Sequence, residues 1–139
     1  MEFVDTNVVL YAYDTSAGPR HAAARDLMSR LGRARSGALS VQVLQEFYVN
    51  ATGKIAKRLD PADAARRVQT LSRWAVHSPT AADVHAAIAL SVENQISFWD
   101  AMIVRSAAEL GCTVLWTEDL NAGQTIAGVL ISSPFGESG

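Results

Sequence analysis

Short apolar runs alternate along this chain with longer stretches of helical periodicity. The runs Glu2-Phe3-Val4-Asp5, Ala38-Leu39-Ser40, Ala75-Val76-His77, Thr113-Val114-Leu115-Trp116 and Val129-Leu130-Ile131 are too short for helices. They predict strands at about 2–5, 38–40, 75–77, 113–116 and 129–131. Between them the spacing predicts helices at about 6–13, 20–31, 41–52, 61–74, 80–94 and 98–110. The punctuation agrees. Asp60-Pro61-Ala62-Asp63 puts proline at the first helical position behind an aspartate cap, and Thr80-Ala81-Ala82-Asp83 resembles a capping box. Gly111 suits the left-handed residue that closes a helix. Five strands alternating with helices predict one α/β domain with a mainly parallel sheet, spanning 1–135, with a short polar tail at 136–139.

Composition narrows the class. The 139 residues are 49% apolar and 19% charged, which fits one globular domain with a real core and excludes a disordered chain. No apolar run approaches the ~20 residues of a membrane span, and the first residues lack a signal peptide's basic start. The single cysteine, Cys112, excludes internal disulfides and thiolate metal clusters. These features together predict a cytoplasmic protein with no membrane partner.

The net charge of −2 hides an asymmetry. Residues 20–73 hold eleven basic side chains and four acids, a net +7; the rest of the chain holds one basic residue and ten acids, a net −9. A basic lobe beside an acidic centre suits a polyanion gripped by one part and cut by the other. Arg33 and Arg35, in an expected loop, and Lys54, Lys57 and Arg58 are the candidate backbone contacts. Solvated helix faces would also explain each arginine taken alone.

Four acids stand in or beside apolar runs: Asp5, Glu46, Asp100 and Asp119. A desolvated carboxylate must be protonated, paired with a cation or bound to a metal. Few basic residues lie near these runs in sequence, so a shared divalent metal is the leading explanation. Each acid also has a plainer reading. Asp5 or Thr6 fits a helix N-cap. Glu46 lies on a polar stripe with Gln42 and Asn50. Asp100 sits three residues after Ser97, as in a capping box, and Glu118-Asp119 fits a turn. The acids share a consequence: Asp5 and Asp119 follow strands, and Glu46 and Asp100 lie on helices adjoining strands, where α/β sheets gather function. Thr6, Asn7 and Thr117 are placed to support them by hydrogen bonding. An all-carboxylate donor set selects a hard cation, Mg²⁺ or Mn²⁺. His21, His77 and His85 lack ligand spacing and read as surface or core-edge residues. Trp99 and Tyr48 read as core aromatics, or as base-stacking platforms if exposed.

With these residues in place, the chain resembles the PIN-domain ribonucleases, and among them the VapC-type toxins of bacterial toxin–antitoxin pairs. The segments that carry the resemblance are Asp5-Thr6-Asn7-Val8-Val9-Leu10-Tyr11, Ser40 through Tyr48, Ser97-Phe98-Trp99-Asp100-Ala101-Met102-Ile103, Thr117 through Gln124, and Ser133-Pro134-Phe135. Ala122 departs from the pattern, since relatives often carry a polar or charged residue there. The resemblance implies a three-layer α/β/α sandwich. It implies an acidic Mg²⁺ or Mn²⁺ site of Asp5, Asp100, Glu46 and Asp119, supported by Asn7 and Thr117, with Glu118 a rival for the last place. It further implies cleavage of tRNA or rRNA, a VapB-type antitoxin partner and a homodimer. The helices at 6–13 and 41–52 would offer the antitoxin a groove.

Two other readings compete. Asp5-Thr6-Asn7 resembles the opening of haloacid-dehalogenase-type phosphohydrolases, but Asn7 stands where that chemistry needs a second acid. A non-catalytic α/β binding module would use the acids as caps and scatter them through the fold.

Overall fold

A computed structural model describes residues 1–136. Its elements run β1 (Glu2–Val4), α1 (Thr6–Tyr13), a 3₁₀ turn (Thr15–Ala17), α2 (Pro19–Ala34), β2 (Gly37–Ser40), α3 (Val41–Gly53), α4 (Pro61–Leu71), β3 (Ala75–His77), α5 (Ala81–Asn94), α6 (Phe98–Glu109), β4 (Val114–Trp116), β5 (Thr125–Ile126) and β6 (Val129–Ser132). The tail at 136–139 lies outside the described residues after Gly136.

Local chemistry sets the helix starts. Ser40 Oγ accepts from Val43 N at 3.3 Å to open α3, and Asp60 accepts from Asp63 N at 2.9 Å to open α4. Ser97 Oγ accepts from Asp100 N at 3.1 Å to open α6. Each satisfies an amide that the first turn leaves without a helical partner.

The strands form one sheet in the order β3-β2-β1-β4-β6-β5, parallel except for the β5–β6 pair. Right-handed crossovers put α1–α4 over one face and α5–α6 over the other, giving three layers. Phe3, Leu39, Leu115 and Ile131 are fully buried in the sheet, between Val8, Leu31 and Phe47 from α1–α3 and Val104 from α6. Gly37 is required at the start of β2, because a Cβ there would fall inside the Trp74 ring.

The sheet has six strands, not the five expected. The additional one, β5, folds back on β6 through Ala127 and Gly128, both at positive φ (52° and 80°). Hairpins of this kind usually announce themselves with asparagine or aspartate before the glycine. Alanine in that place hides the turn.

The chain passes from β1 outward to β2 and β3, then returns to β4 and continues outward on the other side. The direction of strand order therefore reverses between β1 and β4. Ligand crevices of open α/β sheets lie at this point, beyond the carboxyl ends of the strands. Asp5 follows β1 there, and Thr117–Asp119 follow β4.

Candidate metal centre

Asp5 leaves β1 while its amide still donates to Trp116 O of β4 at 2.9 Å. Its carboxylate accepts from Thr6 N at 2.7 Å and from Thr117 Oγ1 at 2.8 Å. The Thr117 hydroxyl also accepts from Asp119 N at 3.0 Å, so one threonine sets both acids. Asp100 reaches the same place from the first turn of α6. One carboxylate oxygen from each of Asp5, Asp100 and Asp119 lies within 4.8 Å of the others. Two oxygens on one Mg²⁺ are at most ~4.2 Å apart at ~2.1 Å bond lengths, so slight side-chain closure lets all three share an ion.

Glu46 stands beside this trio, not in it. Its Oε1 accepts from Thr6 Oγ1 at 3.1 Å and from Gln42 Nε2 at 3.2 Å. The same Gln42 amide group also reaches Trp99 O at 3.3 Å, tying α3 to the start of α6. A binding module with dispersed caps does not produce this convergence.

The electrostatics are adverse. Burial is the largest effect on Asp5, and with the charges of Asp119 and Asp100 it outweighs the two hydrogen bonds and raises the pKa from 3.8 to about 7. Asp100 is also raised, first by burial, then by the charges of Asp119 and Glu46. Asp83, another buried acid, shows the opposite case. It accepts from Thr80 N at 2.8 Å and pairs with Arg105 at 2.9 Å and His77 at 3.2 Å, and its pKa falls to about 2. His77 is thus buried, and its other ring nitrogen meets Ser106 Oγ at 2.8 Å. The sequence pattern showed Asp83 only as a capping residue and missed this network.

The donor set fits a hard cation: the three oxygens are carboxylates, and no protein cation pairs with them among the described residues. Asn7, in the first turn of α1, has both amide atoms buried without a hydrogen-bond partner, as expected of a group whose partner is an ion's water.

Glu118 faces elsewhere. Tyr11 OH donates to one of its oxygens at 2.8 Å and Arg20 Nε to the other at 2.6 Å. The basic candidates are also remote from the acids. Arg35 caps the C-terminus of α2, just ahead of β2, and with Arg33 lies at the edge where the strands begin, opposite the acids. Lys54, Lys57 and Arg58 follow the far end of α3, where Lys57 Nζ approaches Thr15 Oγ1 at 3.4 Å. Eight helical residues past Glu46 is ~12 Å along the axis. Trp99 (65% exposed) and Tyr48 (39%) are surface residues, not core ones.

Carboxylates gathered at the switch point of a mainly parallel three-layer sheet define an α/β domain with a candidate metal site. Residues 3–125 match the PIN domain family, and the chain belongs to that family. Its fold is shared with a toxin–antitoxin complex from Klebsiella pneumoniae (TM-score 0.71, 19% identity, 96% of this chain and 98% of that one). It is shared too with VapBC2 from Rickettsia felis, solved bound to a DNA fragment from its promoter (0.66, 17%, 95% and 97%). A third likeness is VapC20 from Mycobacterium tuberculosis, described as a sarcin–ricin-loop-cleaving toxin (0.61, 20%, 83% and 87%). No curated protein sequence matches the chain. Among the described residues no helix is long and apolar enough to cross a membrane.

Proposed function

We propose that this protein is a Mg²⁺- or Mn²⁺-dependent endoribonuclease, the toxin of a VapBC-type toxin–antitoxin pair. The observation that carries the reading is the convergence of Asp5, Asp100 and Asp119 without a protein cation among them. Asp5 and Asp100 are the primary ligands and Asp119 completes the set. When bound, the ion stabilises charge on the phosphodiester and makes water a stronger nucleophile. Thr117 fixes the Asp5 and Asp119 carboxylates, and Asn7 orients a water. Glu46 takes the proton of the attacking water: Thr6 and Gln42 both donate to its Oε1, which leaves Oε2 for that role. In-line attack then leaves a 5′-phosphate and a 3′-hydroxyl.

The substrate class is RNA, with tRNA or rRNA the expected targets. Lys54, Lys57 and Arg58 would hold backbone beyond the site, and Arg33 and Arg35 would touch only an RNA that wraps the domain. Exposed Trp99, in the first turn that delivers Asp100, offers a face for a base. The expected partners are a VapB-type antitoxin and a second copy of the chain. Tyr48 and Val49 on α3 are open to the antitoxin, and Val84, Ile88 and Val92 form an exposed apolar line on α5 for self-association.

The test is cleavage of a broad RNA pool with Mg²⁺ or Mn²⁺, against EDTA and against Asp5→Ala, with a folding check on each sample. Metal-dependent cutting lost in the variant is the expected result. An intact pool under every metal condition would refute the nuclease reading.

A further inference from the structure

Along the loop that carries Asp119 lies a cleft of about 1,230 Å³. It is lined by Trp116 of β4, the start of α2, the loop after β4 and the segment after β6. Thr117, which fixes Asp5 and Asp119, is also part of its wall with Glu118, Leu120 and Asn121, so the cleft adjoins the loop that carries Asp119.

We propose that this cleft is a base-binding subsite that receives the unpaired nucleotide next to the scissile phosphate. The proposal rests on the ribonuclease reading for its place in the reaction, though not for the binding itself. Its chemistry is that of a nucleobase pocket and not of a phosphate channel. Among the described residues its only charged wall residues are Arg20 and Glu118, which neutralise each other at 2.6 Å. Arg20 is further committed, with its guanidinium 5.3 Å from the centre of the Phe135 ring and 5.9 Å from that of Tyr11. A neutral cleft gives a phosphate no counter-charge, and the acids next door repel one. It suits an uncharged, planar group. Phe135 and Trp116 supply aromatic surface, which favours any base by stacking. Asn121 and Ser133 supply donors and acceptors for a base edge. The cleft exceeds the ~300–1,000 Å³ common for small-ligand pockets, ample for one nucleotide. Asn121 and Phe135 are therefore specificity-determining residues.

The experiment has two arms. In the first, the labelled full chain without metal is titrated with each of the four ribonucleosides, which carry no phosphate, and backbone amides are followed by NMR. At least one nucleoside should shift residues 117–123 and 132–135 saturably, and Asn121→Ala and Phe135→Ala should each weaken that binding by about fivefold or more. In the second, cut sites are mapped on a random-sequence RNA pool with Mn²⁺. The wild type should prefer one base beside the cut, and both variants should flatten that preference while cutting stays EDTA-sensitive. Phe135 packs edge-on against Tyr11 at 5.4 Å, so its loss can loosen the fold; Asn121, on an exposed loop, is the cleaner variant. Failure of all four nucleosides to move the cleft amides overturns the subsite, as does an unchanged base preference in both variants. Shifts produced only by an antitoxin peptide assign the cleft to protein and overturn it equally. Nucleoside binding in the cleft without any RNA cutting would leave the subsite standing and remove the nuclease reading.

Discussion

Replacing Asp5 with asparagine should abolish the proposed activity and stabilise the metal-free protein. The fold raises the Asp5 pKa from 3.8 to about 7. The native state therefore holds this proton more tightly than the unfolded chain, and stability falls as pH rises through that window. The shift corresponds to about 4 kcal/mol at 1.36 kcal/mol per pH unit. That is an upper bound, because relaxation and water penetration offset part of the cost of a buried charge. Asparagine removes the charge and keeps the shape. Its Oδ1 still accepts from Thr6 N, and its amide can donate to Thr117 Oγ1 once that hydroxyl rotates. The assay is urea unfolding of both proteins in EDTA across pH. The two should be alike below about pH 4, and above about pH 7 Asp5→Asn should be the more stable by roughly 2–4 kcal/mol. Saturating Mg²⁺ should reverse the order, since metal at about 100 times its Kd adds ~2.7 kcal/mol to the wild type alone. If Asp5→Asn in EDTA is the less stable protein at about pH 8, the charge is not a liability and the argument for a cation fails.

Three further outcomes follow from the same geometry. Asp100→Asn should lose most of the Mg²⁺-dependent rise in thermal midpoint, whereas Glu46→Gln, one hydrogen bond outside the trio, should retain more of it while losing cleavage; a scanning-fluorimetry titration separates them. Asp83→Asn should cost about 2 kcal/mol near neutral pH, because Asp83 is held at about 2. That stabilisation is present above 3.8 and disappears as pH falls through about 2, so acid unfolding curves of the two proteins should converge there. Gly37→Ala should destabilise by roughly 1–3 kcal/mol, since its Cβ meets the Trp74 ring, and urea unfolding reads the loss directly.

What the sequence displayed was local: strand runs, helix caps and the four acids in their apolar settings. Ser97 and Asp100 were legible because capping is decided within four residues. Whether the acids meet depends on strand order, which periodicity does not encode. The β3-β2-β1-β4-β6-β5 order makes β1 and β4 neighbours and so joins Asp5 to Asp119 across more than a hundred residues. The choice of Asp119 over Glu118 depended on Tyr11 and Arg20, two partners distant in sequence. The exposure of Tyr48 and Trp99 was open to a finer reading. Consecutive helical residues point about 100° apart, so with Phe47 fully buried and Phe98 against α5, their neighbours turn outward.

Asp5 and Asp83 show how the same fold treats a buried acid when it needs one neutralised and when it does not. Asp83 has a guanidinium from α6 and an imidazole from β3 against it. Asp5 has only hydroxyl and amide donors and two more acids. Cations are not scarce, since eleven lie between residues 20 and 73. One of them, Arg20, is held by Glu118, the residue before Asp119, and lies over the Tyr11 and Phe135 rings. That guanidinium pairs with Glu118 and not with the trio. A site of this kind is costly to fold without a counter-charge, which the proposed bound cation would supply. The raised pKa of Asp5 and the orphaned amide of Asn7 are both what the proposed cation site predicts.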